Sequence, residues 1–124
     1  MDVVIPGLPG RPYLDGDSLD LSAPLVFTVP NVLSLEECAA MRARIDELGP
    51  EDAPITTARG FVMRKDIRNN RRVILDDAIL TADLFERVRA SVPARLFDRN
   101  AVGANERFRC YRYDVGQRFA PHFD

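Results

Sequence analysis

The apolar positions of this chain change period several times, and each change marks an element. Leu25–Val29 is apolar and β-branched, the pattern of a strand. From Leu35 the spacing lengthens: Leu35, Cys38, Ala39, Met41, Ile45 and Leu48 recur near the helical period and predict a helix. Ser34 is placed to cap it, Glu37 three residues on completes a capping box, and Gly49-Pro50 ends it. Residues 51–60, with Pro54 and Gly60, read as loop. Phe61–Met63 and Arg72–Leu75 are short strand candidates flanking a polar connection, Arg64–Arg71. Thr81 is placed to cap a second helix with Leu84, Phe85, Val88 and Val92 toward the core; Pro93 stops it and Ala94–Phe97 adds one more turn. Asn100–Asn105, carrying Gly103, reads as loop, and Arg107–Tyr113 is the strongest strand signal. Ahead of all this, residues 1–24 gather Pro6, Gly7, Pro9, Gly10 and Pro12 and predict an extended lead-in with turns, of which residues 1–20 are expected to be mobile and unnecessary for folding.

Composition narrows the classes. A chain of 124 residues predicts one domain, here over residues 25–124. A net charge of −2 gives no electrostatic case for nucleic acid or an anionic membrane as main partner. Hydrophobic content of 46% is too high for wholesale disorder. No apolar run approaches the ~18 residues of a membrane span, and the N-terminus lacks a charged start followed by an apolar stretch. The expectation is a soluble, cytoplasmic protein. Cys38 and Cys110 are too few for a disulfide framework and read as buried thiols.

The chemistry gathers in Phe108–Asp124. His122, the one histidine of the chain, stands two residues before Asp124. On an extended strand such residues share a face, roughly 6.6–6.8 Å apart along the backbone. An imidazole and a carboxylate placed so can converge on one metal ion. That pair suits Fe(II), and a second histidine would complete the facial triad of non-haem iron oxygenases. No second histidine exists among these residues, so they cannot complete such a site alone. An alternating aromatic and basic run (Phe108, Arg109, Tyr111, Arg112, Tyr113) leads into a turn at Asp114–Gln117 and then Phe119.

The order Tyr113, Gly116-Gln117, Phe119, His122-Phe123-Asp124 resembles the prolyl 4-hydroxylase type of 2-oxoglutarate/Fe(II) dioxygenases. The entry Asn31–Cys38 is also similar to the family's first helix. The resemblance implies an α+β fold: a partial double-stranded β-helix, or jelly roll, with N-terminal supporting helices. It implies Fe(II) held by His122, Asp124 and a later histidine. It further implies 2-oxoglutarate as cosubstrate, hydrogen-bonded by Tyr113 and by a later Lys or Arg, with ascorbate as reductant. The substrate would be a prolyl residue of a peptide or protein, or a small molecule. Arg109 and Tyr111 share the face of Tyr113 by strand alternation, and either contact substrate or merely line the sheet. The polar stretch Arg64–Arg72 reads as a solvated connection or, as in the family, a mobile loop over the substrate groove, which makes Arg68, Asn70 and Arg71 substrate candidates. Asp66 and the lack of interleaved aromatics argue against nucleic acid there. The alternative is a non-catalytic fragment or pseudoenzyme acting as an interaction module, self-associating through exposed sheet edges.

Overall fold

The computed structural model describes residues 1–8, 22–96 and 99–123. In chain order the elements are β1 (Asp2–Ile5), β2 (Val26–Thr28), α1 (Leu35–Glu47), β3 (Glu51–Asp52), β4 (Ile55–Thr57), β5 (Gly60–Val62), β6 (Arg71–Asp76), α2 (Ala78–Val88), β7 (Arg95–Leu96), β8 (Arg99–Asn100) and β9 (Arg107–Arg112). The result is a small mixed α/β chain with antiparallel sheets, none of them closed among the described residues. It divides into two compact units, Met1–Ser34 with Ala78–Glu106, and Leu35–Asp77 with Arg107–Asp124.

In the first unit, β1 pairs antiparallel with β2, Asp2 opposite Thr28 and Val3 opposite Phe27, before the register shifts to Ile5 opposite Val26. The lead-in thus opens with a paired strand rather than with turns alone. Val3, Val4 and Ile5 are β-branched and outweigh the Pro and Gly that follow them. The rest of that lead-in, residues 9–21, lies outside the described residues. Helix α2 begins at Ala78, directly after Asp77, so Thr81 is not its cap. Thr81 is buried within the helix and its hydroxyl donates to the Asn105 carbonyl at 3.4 Å. Leu84, Phe85, Val88 and Val92 are half-buried. The extra turn expected at Ala94–Phe97 is instead a hairpin, Arg95 pairing with Asn100 and Leu96 with Arg99; Phe97 lies outside the described residues.

The second unit is built on the sheet β3-β6-β9. All six residues of β6 pair with β9, from Arg71 opposite Arg112 to Asp76 opposite Arg107. Strand alternation places Val73, Leu75, Phe108 and Cys110 on one face, where each is buried or half-buried. Two ion pairs tie α1 to that face: Arg112 to Asp46 at 2.9 Å and Arg44 to Asp77 at 2.7 Å. Helix α1 turns Cys38, Met41 and Ile45 partly inward, whereas Leu35 and Leu48 of the expected stripe are exposed. Gly49 closes the helix at φ 74°, its amide bonded to the Asp46 carbonyl, a left-handed position suited to glycine. The segment 51–60 expected as loop contains β3 and the hairpin β4–β5, turned by Ala58-Arg59 with Gly60 at φ 94°. The polar connection before β6 also differs from a solvated loop: Arg68 is 5% exposed and Asn70 fully buried. No helix among the described residues is long and apolar enough to cross a membrane.

Candidate functional site

Two segments of the second unit close against each other to build the site. Residues 64–69 form a turn held by Arg64, whose carbonyl accepts from the amides of Ile67 and Arg68 and whose guanidinium forks onto Asp66 at 2.7 and 3.0 Å. That fork holds the Asp66 carboxyl below its ordinary range. The turn then zips onto the segment after β9. Asn69 donates its amide to the Arg118 carbonyl, Arg118 returns an amide to Asn69 Oδ1 at 2.7 Å, and Ala120 donates to the Ile67 carbonyl at 2.8 Å. Arg68 and Phe119 therefore face each other in an isolated antiparallel bridge.

The Arg68 guanidinium lies between two aromatic rings, 4.5 Å from the Tyr111 centroid and 4.3 Å from that of Phe119. Its Nε donates to Asn70 Oδ1 at 2.8 Å, and Nη1 reaches the Pro54 carbonyl at 3.5 Å. Asn70 is fixed in turn by donating to the Arg71 carbonyl and by accepting at its own carbonyl from the Ala53 amide. Nη2 is buried without a hydrogen-bond partner. Burying a cation is costly unless it is paired, and the two π faces supply the compensation in place of a carboxylate.

Beyond Phe119 the stack continues. The His122 ring lies 3.7 Å from that of Phe119, inclined by 12°, and its Nδ1 is 2.8 Å from the Ala120 carbonyl. A carbonyl only accepts, so Nδ1 carries a proton in this contact. Metal-ligating histidines commonly have one ring nitrogen held by a backbone oxygen in this way. The turn Asp114–Gln117 sets the approach to this segment. The Gln117 amide bonds the Asp114 carbonyl, Gln117 Oε1 accepts from the Asp114 amide, and Gly116 takes φ 84° at the third position of the turn.

The structure thus brings four of the residues singled out from sequence into one layered stack: Tyr111, Arg68, Phe119 and His122. Asn70 supports the stack rather than facing solvent. Arg71 is drawn away to Asp114, which also accepts from Arg112; the two guanidinium groups hold the Asp114 carboxyl below its ordinary range. Tyr113 and Arg109 are exposed. Asp124 lies outside the described residues. Among the described residues no group of three or more His, Cys, Asp or Glu side chains is placed to hold a metal ion. Burial raises the Cys110 thiol, as suits a packing residue on the covered face of the sheet. A cavity of about 250 Å³ in the first unit, lined by Thr81, Phe85 and Val102 among others, contains none of the candidate residues.

Sequence reasoning missed the closure of residues 67–70 onto 118–120. The signal available was Asn69-Asn70, since asparagine side chains compete for backbone partners where a chain turns. Compared with family models, curated proteins and solved structures, the chain finds no match.

Proposed function

We propose that these residues carry the N-terminal part of a 2-oxoglutarate/Fe(II) dioxygenase domain of the prolyl 4-hydroxylase type, within a double-stranded β-helix. What supports the reading most is His122, whose ring is oriented by the contact of Nδ1 with the Ala120 carbonyl, an arrangement common among metal-ligating histidines. Asp124, two residues on, supplies the anionic ligand by its spacing, and a histidine from outside these 124 residues supplies the third. Fe(II) with 2-oxoglutarate, if held here, would supply the oxidising chemistry for hydroxylation by O2. The chain's own residues do the rest. Phe119 holds the imidazole plane from one side, Tyr113 donates a phenolic hydrogen bond to a 2-oxoglutarate carboxylate, and ascorbate serves as external reductant. The two free thiols, Cys38 and Cys110, agree with a reducing, cytoplasmic setting.

The test is succinate formation from 2-oxoglutarate with Fe(II) and ascorbate, by a polypeptide that unites these residues with the missing histidine. Turnover abolished by His122→Ala and by Asp124→Ala supports the reading; turnover indifferent to both refutes it. A second reading, a non-catalytic interaction module, draws on the scarcity of covered apolar side chains. Among the described residues Ala53 and Cys110 alone of the apolar side chains are buried, while Leu35, Phe61 and Ile79 are largely exposed. Concentration-dependent self-association in sedimentation, without 2-oxoglutarate turnover in the united polypeptide, favours it.

A further inference from the structure

His122 is exposed, yet its ring is held in two ways. Stacking on Phe119 fixes the plane of the imidazole, and the contact of Nδ1 with the Ala120 carbonyl fixes its rotation within that plane. Holding an exposed side chain so firmly costs it rotamer freedom, which the two contacts must offset. Both ties lead back to residues 67–70. Ala120, whose carbonyl takes Nδ1, donates its own amide to the Ile67 carbonyl. Phe119, on which the imidazole lies, rests against the Arg68 guanidinium. Arg68 is anchored in turn through Nε to Asn70 Oδ1, and Asn70 through its amide group to the Arg71 carbonyl. Arginine is a costly residue to place there. It is 5% exposed and strands a buried Nη2 donor, whereas an apolar side chain of similar length would fill the space without that loss. What the guanidinium adds is a flat cation that the Tyr111 and Phe119 rings hold between them.

We propose that Arg68 is a positioning residue for the His122 imidazole, acting through Phe119. Arg68 sets the plane of the ring, the Ile67–Ala120 bond sets its rotation, and residues 67–70 are the template on which the histidine segment is laid down. This deepens the dioxygenase reading: it rests on that reading for what the imidazole is aimed at, and on the stack alone for the aiming.

The experiment follows the ring protons of His122 by NMR, unambiguous in a chain with one histidine. In the metal-free 1–124 protein these protons should be shifted upfield by the Phe119 ring and show cross-relaxation to it. Arg68→Met keeps the volume and removes the cation, and in the folded variant most of the upfield shift should be lost. Arg68→Lys keeps the charge without the plane and should retain only part of it, which carries the test should the methionine variant not fold. Phe119→Leu should abolish the shift, and Arg107→Gln, which breaks an ion pair elsewhere on the ribbon, should leave it in place. A merely structural arginine would lower the urea midpoint and leave the ring where it was. The full shift retained in folded Arg68→Met or Arg68→Lys therefore overturns the proposal, as does its absence from the parent protein. In a polypeptide united with the missing histidine, Arg68→Met should raise the Fe(II) needed for half-maximal turnover about tenfold, as loss of a ligand-orienting group does, and leave the 2-oxoglutarate requirement unmoved. A ring that depends on Arg68 in a united protein without His122-dependent turnover keeps the positioning and removes the dioxygenase reading alone.

Discussion

The two faces of the β6–β9 ribbon share a backbone and differ in nearly everything else. One face carries Val73, Leu75, Phe108 and Cys110, is buried or half-buried, and has its flanking arginines tied to Asp46 and Asp114. The other carries Arg72, Ile74, Arg109 and Tyr111 beside the Asp76–Arg107 ion pair, is half-buried to exposed, and forms no ion pair through Arg72 or Arg109 among the described residues. A one-residue slip would exchange these sets, so a register that covers the apolar set also commits the cationic set to solvent. The lesson is that strand parity assigns cover and exposure here: alternate positions of the same six-residue strand are packed or left open.

The contrast is most easily broken on the covered face. Phe108→Ala should cost about 2–4 kcal/mol, a partial version of the loss on emptying a buried aromatic site. Tyr111→Ala, on the open face, should cost less than about 1 kcal/mol, from lost stacking. Urea denaturation of both variants checks this. Equal losses would mean that the open face is packed as firmly as the other.

Arg68→Met sharpens the contrast at the end of the ribbon where stack and sheet meet. It removes a buried charge at similar volume but strands the Asn70 Oδ1 acceptor, so about 1–2 kcal/mol of stability is expected to go. The His122 tautomer, read from ring nitrogen shifts, should move away from Nδ1–H as Phe119 loses its support. A tautomer unchanged in a folded variant would separate His122 from the stack. Ser34→Ala should cost about 0.5–2 kcal/mol as a lost helix cap and leave the tautomer alone.

The smallest effect is electrostatic. Asp66, Asp76 and Asp114 each have a carboxyl held low by bonded arginines. Their folded values lie below the unfolded one of about 3.9, so their contribution is complete above that pH and is lost as pH falls through the depressed values. Stability should therefore be flat from pH 7 to 5 and decline below about pH 4. Exposure keeps each contribution small. Thermal unfolding against pH, with Asp76→Asn shallower in its acid decline than the parent, checks the sign.

Periodicity made the helices legible, because Cys38, Met41 and Ile45, and Leu84, Phe85 and Val88, repeat over several turns. It also revealed β9, whose alternation is long enough to read. Short strands were not legible: β3, β7 and β8 have two residues each, too few to carry a period, and are set by pairing partners distant in sequence or across a turn. The start of α2 was misplaced because Thr81, a residue type that often caps, lies inside the helix three residues after its first residue, Ala78. At the site, the spacing of His122 and Asp124 was visible. The sandwich around Arg68 was not, since Tyr111 and Phe119 converge on it only after residues 67–70 meet 118–120. A buried arginine inside a run of charges looks identical, in sequence, to a solvated one.

The central claim is that His122 is an iron ligand of a 2-oxoglutarate-dependent site, and iron-dependent succinate formation tests it most directly. Residues 1–124 alone, with one histidine, should hold Fe(II) weakly and give no succinate. The same residues joined to a segment that provides the second histidine should give succinate in the presence of Fe(II), 2-oxoglutarate and ascorbate. His122→Ala should abolish it. Succinate formed at the parent rate by the His122→Ala protein would contradict the claim.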